Sequence, residues 1–221
     1  LVYSMFRAKR KTGVSDCRLA RDLYSKYPSL PQLAEWGPLL PENKVDGLKP
    51  NCSATTKDIQ TRLRRLQLGG QIERSLAEIK ILRERGVFDA WTTDSMEVNA
   101  LLSQGQNTEA MKSLIKHAKE NATRPAFWML LGKISSRLGD FTGAAGAYKR
   151  AHDLAPGGKA ASDALFNSAF ASYQMQDYDG AEVGFEKLSR KFGRSKIARD
   201  ARWHLAWMSY LRHDYNVALS R

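Results

Sequence analysis

Between Trp128 and Pro156 the side chains follow a spacing that suits a helix, a tight corner and a second helix. Trp128, Leu131 and Gly132 come first, Gly139-Asp140-Phe141 follow, and Ala144, Tyr148 and Ala151 lead to Pro156. Trp128 and Leu131 lie on one helical face a turn apart, and Gly132 lets a neighbouring helix come close. Gly139 and Asp140 break the first helix, with Phe141 packing at the corner. Ala144 is small where the two helices cross most tightly, and Tyr148 fills the space beside it. Pro156 ends the second helix because its ring cannot continue the backbone ladder. Where this pattern calls for a second aromatic, the chain has Ser135, which weakens one packing position.

The pattern recurs. Downstream it is carried by Ser168, Ala169, Ser172, the corner Asp177-Tyr178, then Ala181, Phe185 and Leu188. It appears again in Leu205-Ala206, Ser209, the corner Asp214-Tyr215, and Ala218. Upstream it fits Val98, Leu101, the corner Gln106-Asn107, Ala110 and Leu114, and more weakly Leu63, Leu66, Gly70-Gln71-Ile72, Ser75 and Ile79. Successive units are 35, 34, 37 and 37 residues apart. A steady period near 34 residues, built from helix–turn–helix units, resembles the tetratricopeptide repeat (TPR) and predicts a helical solenoid. The expected fold is therefore all-α: an α-α superhelix of TPR-like type over residues 53–221, behind an irregular helical N-terminal segment over residues 1–52.

Within that segment, residues 1–14 read as a basic arm or frayed helix. Residues 15–27 read as a helix with Leu19, Leu23, Tyr24 and Tyr27 on one face. Pro28 and Pro31 end it, and residues 30–36 read as one further short turn of helix. Residues 37–51, with Pro38, Pro41, Gly47 and Pro50, predict a long irregular loop. Cys17 and Cys52 are the only cysteines and bracket this stretch with 34 residues between them. Two readings stay open there. A disulfide in an oxidising compartment would stabilise by about 3–4 kcal/mol. Two reduced thiols would point to a cytoplasmic scaffold.

The net charge of +12 admits anionic partners. Its two dense basic clusters, residues 7–11 and Arg62 to Arg65, read as solvated faces or arms. The sequence contains no run of about 18 apolar residues that would suggest a membrane span. The last unit stops partway through its second helix at Arg221, so the sequence reads as part of a longer protein.

The run from Ala201 to Tyr215, Ala-Arg-Trp-His-Leu-Ala-Trp-Met-Ser-Tyr-Leu-Arg-His-Asp-Tyr, resembles the superhelical domain of bacterial soluble lytic transglycosylases. The resemblance extends over about residues 160–221. It implies a periplasmic protein whose array carries a separate catalytic domain, one that cleaves peptidoglycan glycan strands to a 1,6-anhydro product with a single glutamate. That glutamate stands in a Glu-Ser pair, followed by a Gly-Leu-Met-Gln run. Neither occurs here, so no catalytic residue is assigned and the chemistry would lie beyond Arg221. The alternative is a TPR adaptor binding protein partners in the cell envelope or cytosol.

No cofactor or metal is expected. His117, His152, His204 and His213 are scattered without ligand spacing, and Gly157-Gly158 is a helix break with no following Lys-Ser/Thr. Binding is the better expectation. In a TPR array the first helix of each unit lines the groove, which nominates Lys133 and Arg137 in one unit, Phe166, Phe170 and Tyr173 in the next, and Trp203, Trp207 and Tyr210 in the last. Trp203, Trp207 and Tyr210 form an i, i+4, i+7 stripe. Two readings of that stripe stay open: a groove for peptide or peptidoglycan, or interhelical core. RNA binding is disfavoured, because it needs basic residues interleaved with the rings and Asp200 and Asp214 accompany them here.

Overall fold

The computed structural model describes residues 17–30 and 53–221. The expected N-terminal arm, all but the first residue of the turn over 30–36, the loop over 37–51 and Cys52 lie outside those residues. Twelve helices and no strand occur among the described residues. They divide between two compact units, with the division of the chain falling between residues 106 and 107.

The first unit contains α1 (Cys17–Lys26), α2 (Thr56–Leu68), α3 (Ile72–Glu84) and α4 (Ala90–Ser103). Thr55 caps α2 reciprocally with Asp58: its hydroxyl accepts the Asp58 amide while the Asp58 carboxylate accepts the Thr55 amide at 2.9 Å. Tyr24, Ile59, Leu63, Ile72, Ile79, Leu82 and Ala100 form the core. Inside it sits Arg62, with no exposed surface. Its guanidinium donates to both Glu78 carboxylate oxygens at 2.8 Å and to the Tyr24 carbonyl at 3.0 Å, and lies 4.4 Å from the Tyr24 ring centre. One residue of the basic cluster read as a solvated face is thus the central polar tie between α1, α2 and α3. A buried guanidinium is tolerated because a carboxylate and a carbonyl occupy its donors.

The second unit contains α5 (Asn107–Ile115), α6 (Ala118–Asn121), α7 (Pro125–Arg137), α8 (Phe141–Leu154), α9 (Gly158–Gln174), α10 (Tyr178–Phe192), α11 (Lys196–Leu211) and α12 (Tyr215–Ser220). Each of the pairs α7–α8, α9–α10 and α11–α12 turns through one corner geometry. The residue before the corner aspartate is left-handed, with φ of 81° at Gly139, 64° at Gln176 and 65° at His213. Gly70 and Gly105 take the same conformation at the two corners of lower number. These five corner residues, unlike the left-handed Gly86 and Gly193, keep the spacing of the sequence repeat.

After the corner, Asp140 accepts the Gly143 amide at 2.8 Å and Asp177 accepts that of Gly180 at 3.0 Å, capping α8 and α10. A Cβ on Gly143 would lie 2.0 Å from the Asp140 carboxylate, and one on Gly180 would lie 2.1 Å from that of Asp177. The repeat thus contains an Asp-x-x-Gly cap absent from the sequence reading. The third corner has Val217 at the glycine position, and Asp214 makes no side-chain cap.

The helices of each pair close tightly. A Cβ on Gly132 would meet the Tyr148 ring at 2.7 Å, and one on Gly184 would meet Ala169 Cβ at 2.7 Å. Gly132 makes room as its sequence position predicts. Leu165, Ala169, Ala181, Phe185, Leu188, Ala198, Ala201, Leu205 and Met208 form the larger core of this unit.

Candidate functional site

The eight nominated groove residues fall on α7, α9 and α11, the first helix of each pair. On α9, Phe166 and Phe170 have ring centres 6.2 Å apart and nearly parallel planes, and Phe170 continues to Tyr173 at 6.1 Å. On α11, Trp203 and Trp207 are 5.9 Å apart at an interplanar angle of 4°, and Trp207 continues to Tyr210 at 5.7 Å. The Trp207 indole N–H donates to the Tyr173 hydroxyl at 3.2 Å, joining the two ladders across the helices. Tyr210 then meets Tyr215 of α12 edge-on at 5.6 Å. The helical period places these rings on one face, and the 37-residue repeat stacks the faces side by side.

The ladders differ in exposure. Phe166, Phe170 and Tyr173 are half-buried, whereas Trp203 is 60% exposed, Trp207 38% and Tyr210 53%. Of the two readings of the α11 stripe, interhelical core describes its α9 counterpart and open surface describes α11 itself. Trp203, Ala206, Trp207 and Tyr210 form a groove of about 420 Å³ with Tyr215, Ala218 and Leu219 of α12.

His204 explains why the α9 ladder is covered. Its imidazole sits among Phe166, Phe170, Tyr173, Phe185 and Trp203 at centre distances of 5.6, 5.4, 5.9, 5.0 and 4.9 Å, parallel to Phe185. Its Nδ1 is buried without a hydrogen-bond partner. Burial among these rings holds the imidazole below its ordinary pKa, with Asp200 acting in the opposite sense.

Lys133 occupies the α7 position that Phe170 and Trp207 hold on α9 and α11, and Arg137 follows one turn later, where the repeat has Gln174 and Leu211. Burial, and then the Arg137 charge, pull the Lys133 ammonium below its usual pKa. Cys17 is disulfide-bonded, and Cys52, the only other cysteine in the sequence, lies outside the described residues. Among the described residues, no group of three or more His, Cys, Asp or Glu is placed to hold a metal ion. No helix there is long and apolar enough to cross a membrane.

No family model matches the sequence, and no curated protein matches it. Solved structures do resemble it. The crystal structure of MamA superposes with a TM-score of 0.59 at 17% identity, covering 72% of this chain and 88% of that one. The fold is TPR-like. A tetratricopeptide repeat protein from Parabacteroides merdae matches 99% of this chain and 75% of its own, with a TM-score of 0.58 at 12% identity. The complex of Naa15 with Naa10 bound to HypK matches at a TM-score of 0.52 and 21% identity, covering 73% of this chain and 23% of that one.

Proposed function

We propose that this chain is a protein-interaction scaffold that engages a polypeptide partner through the aromatic face of α9 and α11. The observation that carries this reading is the exposure of Trp203, Trp207 and Tyr210 in a continuous ladder. Large amphipathic rings cost free energy in water, and tryptophan and tyrosine dominate the anchoring positions of protein interfaces. Among the similar folds, Naa15 is itself seen assembled with other polypeptides. The test is affinity capture from the native host with the wild-type chain and with Trp203→Ala/Trp207→Ala. Circular dichroism checks that helicity is kept. Specific partners should fall about tenfold or more in the variant. Recovery of the same partners at the same level would overturn the reading.

A narrower form follows the resemblance of Ala201–Tyr215 to lytic transglycosylases. In it, the array positions a peptidoglycan-cleaving catalytic domain lying outside these residues, in the periplasm. It is favoured because the rings that carry the resemblance are the exposed ones, and because disulfide-bonded Cys17 suits an oxidising compartment. Sedimentation with purified peptidoglycan sacculi tests it. Co-sedimentation lost in the double tryptophan variant supports the narrower form, and an equal supernatant fraction with and without sacculi counts against it.

A further inference from the structure

A cavity of about 650 Å³ opens between the starts of α9 and α11, at the far end of both helices from the aspartate corners. That volume lies within the range of small-molecule sites. Ser162 and Asp163 reach it from α9, Phe192 from the end of α10, and Ser195, Lys196, Ile197 and Asp200 from the start of α11. The surrounding backbone is held in place from outside the cavity. Arg202 donates to the Gly193 carbonyl at 3.2 Å, which ties the turn between α10 and α11. Lys191 donates to the Pro156 carbonyl at 2.7 Å, which ties the end of α10 to the turn before α9. The Ser195 hydroxyl accepts the Ala198 amide at 3.2 Å and caps α11. A cavity held in this way loses little conformational freedom when a ligand enters.

The lining is mixed. Phe192 and Ile197 are half-buried and pack against the core of the unit, so they give the cavity an apolar floor. Asp163 is half-buried, and Lys196 and Asp200 are exposed. Among the described residues, none of these three charged side chains forms an ion pair or a side-chain hydrogen bond, although charges of both signs share one cavity. A lone cation entering it would meet the Lys196 ammonium, and a lone anion would meet two carboxylates. A purely apolar molecule would strip water from the half-buried Asp163 carboxylate and give nothing in return. A molecule with one charge of each sign and an apolar body avoids all three penalties.

We infer that this cavity binds a small zwitterion, a free amino acid or short peptide with an apolar side chain. Its α-ammonium lies against Asp163 and Asp200, its α-carboxylate against Lys196, and its side chain on Phe192 and Ile197. The charge-assisted hydrogen bonds set its orientation, and the apolar floor selects the side chain. The site is separate from the aromatic ladders, which begin one turn further along the same helices at Phe166 and Trp203. It does not rest on the scaffold reading.

The test is an NMR titration of the isotope-labelled full chain with L-leucine and with L-leucyl-L-leucine. Saturable shifts are expected at the amides of Asp163 and residues 195–200, and the tighter of the two probes tells a free amino acid from a peptide. Leucinamide lacks the carboxylate, N-acetyl-leucine lacks the ammonium, and N-acetyl-leucinamide lacks both. Each should bind about tenfold or more weakly than leucine. Asp163→Asn and Lys196→Gln should each weaken leucine by a similar factor, with helicity checked by circular dichroism; Lys196 is exposed, so its variant keeps the fold. Absence of saturable shifts with both zwitterions overturns the proposal, as does N-acetyl-leucinamide binding as tightly as leucine. Tighter binding of leucinamide to Lys196→Gln than of leucine to the wild type also overturns it, since the cavity would then be a site for cations alone. Capture of polypeptide partners through Trp203 and Trp207 plays no part in these titrations, so the two readings fail separately.

Discussion

At the scale of single residues, the polar groups inside the two units set the sharpest expectations. His204 is held below its ordinary pKa of 6.5 by burial, so the folded chain binds its proton less readily than the unfolded chain. Its contribution to stability is present above pH 6.5 and is lost as the pH falls below that value toward the folded pKa. Thermal denaturation at about pH 7.5 and about pH 5.5 should show a larger fall in Tm for the wild type than for His204→Phe, whose ring keeps the cage filled without titrating. An unchanged difference between the two proteins would remove His204 from the pH response. Arg62 and Glu78 form the opposite kind of site, where both charges are present and satisfied. Removing either partner strands the other in the core, so Glu78→Ala should cost about 3–5 kcal/mol in urea denaturation. The double change Arg62→Met/Glu78→Leu should cost much less than the sum of its parts. Arg62 shares the i, i+3, i+4, i+7 face of Ile59, Leu63 and Leu66, a spacing that sets it apart from Arg64 and Arg65, but its charge reads as solvated by sequence. Only the arrival of Glu78 and the Tyr24 carbonyl makes it a core residue.

At the scale of the helical pair, the corner decides stability. Gln176 is left-handed and exposed, a conformation in which a Cβ crowds the following carbonyl. Gln176→Gly should therefore stabilise by about 1 kcal/mol, read as an upward shift in Tm. Gly180→Ala should do the reverse: the new methyl lands on the Asp177 carboxylate and removes the cap of α10, for a loss of about 1 kcal/mol. The Gly-Asp and Gln-Asp corners, and the positions of Gly132 and Ala144, were legible because helix termination and close helix crossing require particular residue types locally. The Asp-x-x-Gly cap was equally present in the sequence. Asp140 and Gly143, and Asp177 and Gly180, keep one spacing, and that spacing is the signal that could have found it.

At the scale of the whole molecule, the contrast that bears on function is between rings that hold the fold and rings that face outward. Phe185 has no exposed surface and lies parallel to His204 at 5.0 Å. Phe185→Ala should cost about 3–5 kcal/mol by calorimetry. Trp203→Ala, at a largely exposed position, should change stability by no more than about 0.5 kcal/mol while weakening partner binding. Comparable losses of stability for both would place Trp203 in the core and remove the aromatic face as a docking surface. The sequence by itself determined the helical class, the five-unit period and the corners, because helix periodicity, helix breaking and tight crossing depend on residues within one repeat of each other. The repeat register alone also assigns the eight nominated residues to the first helix of each pair, although only Trp203, Trp207 and Tyr210 among them line the α11–α12 groove. It left Trp203 and Trp207 undecided between core and surface. The same stripe is covered on α9 and open on α11, and that difference depends on whether a neighbouring helix lies on top. Only the tertiary structure shows α11 lying over Phe166, Phe170 and Tyr173, with His204 inserted among them, while Trp203, Trp207 and Tyr210 are exposed among the described residues.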